Sequence, residues 1–367
     1  MKETGRVLVS GASFAGLSAA YWMRRLGFEV TVVEAARALR TGGTAVNIEG
    51  PTVAVAERMG ILEKIHANKL GLERWEFKNA DDVTEGAMES PPEDTLEIER
   101  DLLLGMLHEL VKDDVELVFG ESIAALHEAD GAVEATFRDG SCRSFAHVIG
   151  CDGAHSNVRR LWFGPESEYA HDLGYYFAIS IVERSLIRPN TAQMFNVPGK
   201  CVGLNAYKQK TDILLAFASD EAIPYDHRDG AQQRRIIAER FAGLGWRTEE
   251  LLAAMWGADN FYFDKLCQVR MPSWSKGRVV LVGDAGYCAS PAAGKGGSLA
   301  LDGAAALADA FVKHPGDFAR AFADYESSLR PYIEEVQAGA VQFGLEHLCP
   351  RTEEAIRERN TGLRIPA

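Results

Sequence analysis

The stretch from Arg6 to Glu34 restricts the possible folds more than any other part of this chain. Arg6 to Ser10 is an apolar run of strand type, GASFAG from Gly11 to Gly16 follows directly, and a helical pattern continues from Leu17 to Leu26. Gly27 closes that helix, and a second strand from Glu29 to Val33 ends in Glu34. Strand, glycine turn, helix and acid-terminated strand make up the dinucleotide-binding fingerprint. The first glycine permits a tight turn, the third lets helix and strand pack closely, and the helix N-terminus faces a pyrophosphate with unpaired amides. Glu34, 18 residues beyond Gly16, stands where a carboxylate accepts hydrogen bonds from a ribose. Ser13 replaces the middle glycine and still allows fairly close backbone approach. The fingerprint occurs once, so one dinucleotide is expected to be held tightly and any other transiently.

A second stretch, GRVVLVGDAGYCASPAAGKGGSLALD from Gly277 to Asp302, has related logic. Val279 to Val282 reads as a buried strand, Gly283 and Asp284 stand at its end, and Pro291, Gly294, Gly296 and Gly297 precede a helix starting near Ser298. A strand-end carboxylate and a glycine loop feeding a helix N-terminus suit a hydroxyl-rich, partly anionic ligand. An ordinary strand, loop and helix is the plainer alternative. Lys295 is followed by glycine, not Ser or Thr, so the loop is not a phosphate-binding P-loop. CDGAHSNVRR repeats the pattern: Ala146 to Gly150 is a strand, Asp152 and Gly153 follow its end, and Ser156, Arg159 and Arg160 lie on a helix. An Asx turn capping that helix is the alternative there.

Between these motifs, Arg37 to Gly50 reads as a polar, glycine-rich loop over the ligand. Arg37 and Arg40 are available for phosphate or ring contacts, or are surface arginines of a solvated loop. Arg100 stands at the start of the helix in LEIERDLLLGMLHEL, a candidate for the cofactor, though a surface ion pair is the default for a lone arginine. Thr52 to Ile65 is an amphipathic helix interrupted at Gly60, Leu72 to Val83 a strand and turn, and Asp81 to Asp94, with Pro91-Pro92, an exposed loop. Leu173 to Cys267 changes to alternating strands with one helix, Gln232 to Leu244, which indicates a second domain on an antiparallel sheet. A long helix from Asp317 to Gln342 is expected to break near Pro331, and Thr352 to Asn360 forms a short terminal helix.

The length of 367 residues suits two domains, at about 150 residues each. A net charge of −14 argues against nucleic acid and anionic membrane surfaces as partners. The opening MKETG has no signal-peptide pattern and no apolar run is long enough to span a bilayer, so a cytoplasmic location is expected. The six cysteines never form CxxC and read as reduced structural thiols, and the histidines form neither HxH nor HExxH, leaving no case for a metal.

Taken together and in order, GASFAG with Glu34, CDGAHSNVRR and VGDAGYCASPAAGKGGSLALDGA resemble the FAD-dependent aromatic hydroxylases of the p-hydroxybenzoate hydroxylase type. AYWMRRLGF, the RTGG loop and FYFDKLCQVRMPSWSKGRVVLVGDAGYC look nearest to the compact tetracycline-inactivating monooxygenases. The resemblance implies an α/β fold: a Rossmann-like FAD-binding domain from 1–72, 96–168 and 271–330, a mixed β-sheet substrate domain from 73–95 and 169–270, and a bridging C-terminal helical segment, 331–367. It further implies that Gly11, Ser13 and Gly16 hold the pyrophosphate, Glu34 the ribose, and Arg100 the FAD. Gly283 and Asp284 would meet the ribityl chain or phosphate, and Pro291, Gly294, Gly296 and Gly297 would line the isoalloxazine. Asp152 and Gly153 would serve both FAD and a transient NADPH or NADH. Three positions depart from the family pattern: Tyr287 stands where His is frequent, Lys295 where Gln is, and Ser298 where Asn is common.

In such enzymes a nicotinamide reduces the flavin, and a flavin hydroperoxide delivers oxygen to an electron-rich carbon. The expected partner is therefore an aromatic or polyketide-like small molecule, the expected state a monomer. The cofactor carries the chemistry, so no catalytic triad is required. Lys295, if turned inward, would raise the flavin potential. Phe177, Ile179, Phe195, Leu215 and Phe217 are candidate pocket walls or ordinary core. A reductase or dehydrogenase of the same fold and a non-redox flavin-binding accessory protein are the rival readings; no WxWxIP-like stretch supports a halogenase.

Overall fold

Val7, Leu8 and Val9 have no exposed surface, because the strand that carries them lies in the middle of a sheet covered on both faces. A computed structural model describes residues 5–89 and 96–362. The chain runs β1 (Arg6–Ser10), α1 (Phe14–Leu26), β2 (Glu29–Glu34), β3 (Val46–Ile48), α2 (Pro51–Arg58), α3 (Leu62–Ala67), β4 (Arg74–Lys78) and β5 (Thr84–Glu89). It continues through β6 (Leu96–Ile98), α4 (Arg100–Glu109), β7 (Glu116–Phe119), β8 (Ile123–Ala129), β9 (Ala132–Phe137), β10 (Cys142–Phe145), β11 (His147–Gly150) and α5 (Asn157–Trp162). Next come β12 (Ala170–Val182), β13 (Thr191–Val197), β14 (Lys200–Tyr207), β15 (Lys210–Ala218), α6 (Gly230–Phe241), α7 (Thr248–Trp256) and β16 (Phe261–Val269). The last part holds β17 (Ser275–Lys276), β18 (Val279–Leu281), α8 (Asp284–Tyr287), α9 (Gly296–Lys313), α10 (Phe318–Gly339), α11 (Leu345–Leu348) and α12 (Glu353–Gly362).

The first sheet has the order β17-β18-β11-β1-β2-β7. Four of its pairings are parallel, and three motif-bearing loops leave β1, β11 and β18, which are neighbours. Parallel neighbours end on the same side, so segments far apart in sequence emerge together at one sheet edge. α1 packs against α9, and α9 against α10. The second large sheet, β16-β12-β15-β14-β13-β4-β5, is antiparallel except for the β13–β4 pair.

Several expectations need correction. The loop from 37 to 50 contains β3, which pairs antiparallel with β6. The segment expected to be an exposed loop from 81 contains β5, an edge strand paired with β4; its part from 90 to 95, with Pro91-Pro92, lies outside the described residues. Two helices, α6 and α7, interrupt the second sheet's strands, and Leu251, Leu252 and Met255 of α7 are buried against it. α10 passes through Pro331 without a break, so the division expected at 331 falls inside one helix. Pro331 is exposed, where water can satisfy the carbonyl that loses its amide partner. The helical path loosens instead at a π turn from Ala340 to Gly344. Among the described residues no helix is long and apolar enough to cross a membrane.

Candidate functional site

Gly11 has φ +102°, and a Cβ there would lie 2.5 Å from the Cys151 carbonyl oxygen; at Gly16 it would lie 1.8 Å from Gly11 O. Neither clash is relieved by a side-chain movement, so both positions exclude any larger residue. The turn delivers the chain into α1 with Ser13 as N-cap and no side chain capping the first turn. Its N-terminal amides are thus available to an anion.

Glu34 reaches back to this turn, its carboxylate accepting from Ala12 N at 2.9 Å and Ala36 N at 2.8 Å. Arg40 lies 3.7 Å from the same carboxylate and is largely exposed; Arg37 is exposed, its stem near Gly120. Arg100 is more deeply engaged. It donates to the carbonyls of Arg40 and Gly42 at 3.0 Å each and to Ser13 Oγ at 3.3 Å, and it stacks over Phe14. The arginine therefore ties the loop from 37 to 50 to the start of α1.

At the end of β18, Gly283 (φ +69°) turns the chain into α8, a helical turn the sequence reading missed. Asp284 stands beside Cys288, whose thiol donates to Cys267 O, and burial raises its carboxyl pKa. Gly294 is left-handed, and side chains at Gly294 or Gly296 would meet open space. α9 then starts at Gly296 with no side chain capping it. Ser298 Oγ donates to Asn47 O at 2.7 Å, which fastens α9 to β3. Lys295 turns to Glu49 and forms an ion pair, so its charge is already matched within the loop. Tyr287 points into the core: its hydroxyl pairs with Tyr325 Oη at 3.0 Å and packs where a side chain at Gly303 would otherwise stand.

Asp152, after β11, is more fully partnered. It accepts from Ser10 Oγ, Ser156 Oγ and Val158 N, the last at 3.0 Å. Ser156 in turn caps α5 through Arg159 N. Arg159, without exposed surface, donates to Ala285 O at 2.9 Å and so joins this motif to α8. Gly153 is left-handed and faces open space.

These segments meet. A Cβ at Gly297 would lie 3.3 Å from Val46 and 3.6 Å from Phe14, and one at Gly283 would lie 3.1 Å from Ala15. The glycine loops after β1 and β18, and the loop carrying β3, therefore come together, which brings the uncapped starts of α1 and α9 and the Asp284 carboxylate to one place. Such a grouping suits a ligand with phosphates, hydroxyls and a flat ring.

One face of the second sheet meets the loop after β18. Phe177 and Ile179 lie on the side where Ala292 and Leu345 pack. Phe195, Leu215 and Phe217 lie on the opposite side, under α6 and α7, and are core rather than pocket wall. The sequence reading also missed a polar cluster: Asp264 of β16 accepts from Tyr262 Oη at 2.8 Å and Tyr225 Oη at 2.7 Å, and pairs with His155 Nε2 at 3.0 Å. His155 Nδ1 stands 2.9 Å from Glu166. Hydrogen bonds hold the Asp264 carboxyl down to about 2 against its burial, and the two carboxylates push His155 up to about 10. The period-two run Tyr262, Asp264, Leu266 was the available signal.

Known proteins share this arrangement. A family profile described as FAD binding domain matches residues 4–171. An uncharacterized protein of Mycobacterium tuberculosis (strain ATCC 25618 / H37Rv) is 38% identical over 342 residues, covering 90% of this chain and 91% of its own. A flavin-dependent monooxygenase from an unknown prokaryotic organism is 34% identical, covering 98% and 95%. The crystal structure of tetracycline destructase Tet(51) superposes with a TM-score of 0.88 at 33% identity, over 98% of this chain and 95% of that one.

Proposed function

The chain belongs to the flavin-dependent monooxygenases, and from that premise we propose how its own residues serve the reaction. FAD is the cofactor, with NAD(P)H and dioxygen as co-substrates. When bound, FAD takes reducing equivalents from NAD(P)H and, with dioxygen, supplies the oxygen atom inserted into an organic substrate. The residues fit this group on their geometry: a turn that admits no side chain at Gly11 and Gly16, uncapped amides on α1 and α9, and a half-exposed carboxylate at Asp284.

In this reading Gly11, Ser13 and Gly16 cradle the pyrophosphate on the N-terminus of α1. Glu34 faces the adenosine ribose, and Arg100 holds the covering loop in place. Gly283 and Asp284 take the ribityl hydroxyls. Pro291, Gly294, Gly296 and Gly297 line the ring, and the amides of Gly296 and Gly297 stabilise negative charge that builds there on reduction. Asp152 acts mainly as the cap that shapes the loop around Gly153. The substrate is an aromatic or polycyclic molecule of phenolic or polyketide type, seated between the ring loop and the sheet face of Phe177 and Ile179. Closure of the site against water is supplied by the loop from 37 to 50.

The observation that carries this reading is the meeting of Phe14, Val46 and Gly297 across three segments. The test is a panel of phenolic and polyketide compounds screened for stimulated NAD(P)H oxidation, with products weighed. A gain of one oxygen atom, dependent on air, is expected. Equal turnover without oxygen would establish a reductase instead.

A further inference from the structure

Tyr262 is 52% exposed, although it stands on a strand whose next two same-face residues, Asp264 and Leu266, are buried. Its ring tilts against Phe177, with centroids 5.6 Å apart, and the β12–β16 register sets Tyr262 opposite Ile179. Tyr262 therefore belongs to the side of the sheet that meets the loop after β18. Two residues earlier, Asn260 lies against the covering loop: a Cβ at Gly42 would be 3.5 Å from it. On the other side, the Tyr262 hydroxyl is within electrostatic reach of Asp284 and Cys288. A half-exposed aromatic side chain thus stands on the sheet face that meets the loop after β18, two residues from a contact with the covering loop.

The hydroxyl has a fixed polarity. It donates to Asp264 Oδ2, an oxygen also paired with His155 Nε2, while Oδ1 accepts a hydrogen bond from Tyr225 Oη. Glu166 holds the other nitrogen of His155, Arg159 stands 3.6 Å from Glu166, and His227 lies beside the imidazole. Positive and negative groups alternate from Arg159 to Asp264, which keeps Asp264 anionic and able only to accept. The Tyr262 proton is thereby committed, and its oxygen can only accept another hydrogen bond.

We propose that Tyr262 is a specificity-determining residue that stacks on the substrate ring and accepts a hydrogen bond from a hydroxyl on it, with Asp264 and His155 as positioning residues. The proposal rests on the monooxygenase reading above and deepens it by naming the residue that tells a ring with a free hydroxyl from its ether. An etherified ring keeps the stacking and loses the donor. One neutral hydrogen bond corresponds to a preference of about five- to tenfold.

The test titrates the FAD-loaded full chain with β-naphthol and with its methyl ether, by calorimetry. The native protein is expected to prefer the naphthol by about five- to tenfold. Tyr262→Phe should abolish that preference by weakening the naphthol alone, and His155→Gln should reduce it with FAD content unchanged. A preference that survives in Tyr262→Phe, or a yellow native protein that binds neither compound, overturns the proposal. A native protein that stays colourless with added FAD overturns the monooxygenase reading itself, before any titration begins.

Discussion

Asp152 and Asp284 occupy matching places, each just beyond a buried parallel strand, and β11 and β18 are neighbours. Burial raises the carboxyl pKa of both, yet their surroundings differ. Asp152 gathers two serine hydroxyls and a backbone amide: Ser156 and Val158 N at the start of α5, and Ser10 from the end of β1. Among the described residues Asp284 has no such set of donors: beside it is the Cys288 thiol, a weak donor already directed at Cys267 O. A buried carboxylate with saturated oxygens stabilises its own loop, whereas one left short of donors costs stability until a ligand supplies them. Position relative to the strand is shared; on the proposed reading, the number of donors separates the structural role of Asp152 from the binding role of Asp284.

That contrast can be broken by substitution. Asp284→Ala should have the largest effect: FAD affinity falls roughly 30- to 100-fold, the loss of charge-assisted hydrogen bonds, measured by equilibrium titration of flavin fluorescence. The flavin-free protein should melt no lower than the native one, because a half-buried group short of protein donors has been removed. Asp152→Ala should do the reverse, lowering unfolding free energy by roughly 2–3 kcal/mol for three lost hydrogen bonds, while FAD affinity of the folded protein stays within about threefold. Denaturant titration decides it. If Asp152→Ala loses flavin and keeps its stability, the two residues have been assigned the wrong way round.

The contrast sharpens with pH. His155 has a folded pKa raised to about 10, so its contribution is complete below its unfolded pKa near 6.5 and fades as pH rises through the folded value. Asp264, lowered to about 2, contributes fully above its unfolded pKa near 3.9 and fades as pH falls toward 2. His155→Gln should therefore destabilise most between about pH 4 and 6.5 and least near pH 10. For Asp284 the sign is opposite to that of Asp264: a raised carboxyl pKa makes the flavin-free protein less stable as pH climbs above the unfolded value. Asp284→Asn should remove that slope in melts across the acid range.

The smallest effect is expected at Lys295. Its partner Glu49 lies in the loop after β3, so the pair links α9 to the covering loop and leaves little net charge for the flavin. Lys295→Gln should change the rate of flavin reduction by less than about twofold, the range of a partly exposed ion pair. A larger loss would restore the lysine as an electrostatic aid to the ring.

Much of the architecture was legible because its causes are local. The turn at Gly11 and Gly16, the buried runs of β1, β2 and β11, and the capped start of α5 follow from neighbouring residues and from the period of the apolar pattern. β5 was not legible, since TEGAME has no apolar alternation and is a strand only because β4 offers it an edge. α7 carried a readable signal in Leu251, Leu252 and Met255, with two acids in its first turn.

The sequence by itself determined where the chain turns, which strands are buried and which helix ends lack caps, for these depend on glycine, side-chain volume and spacing within a few residues. Only the tertiary structure decided which carboxylate is saturated, which face of the second sheet meets the loop after β18, and that Tyr262 stands half exposed there. Those outcomes hang on hydrogen bonds such as Ser10 to Asp152, whose partners are 142 residues apart. No local pattern encodes a donor that arrives from another strand.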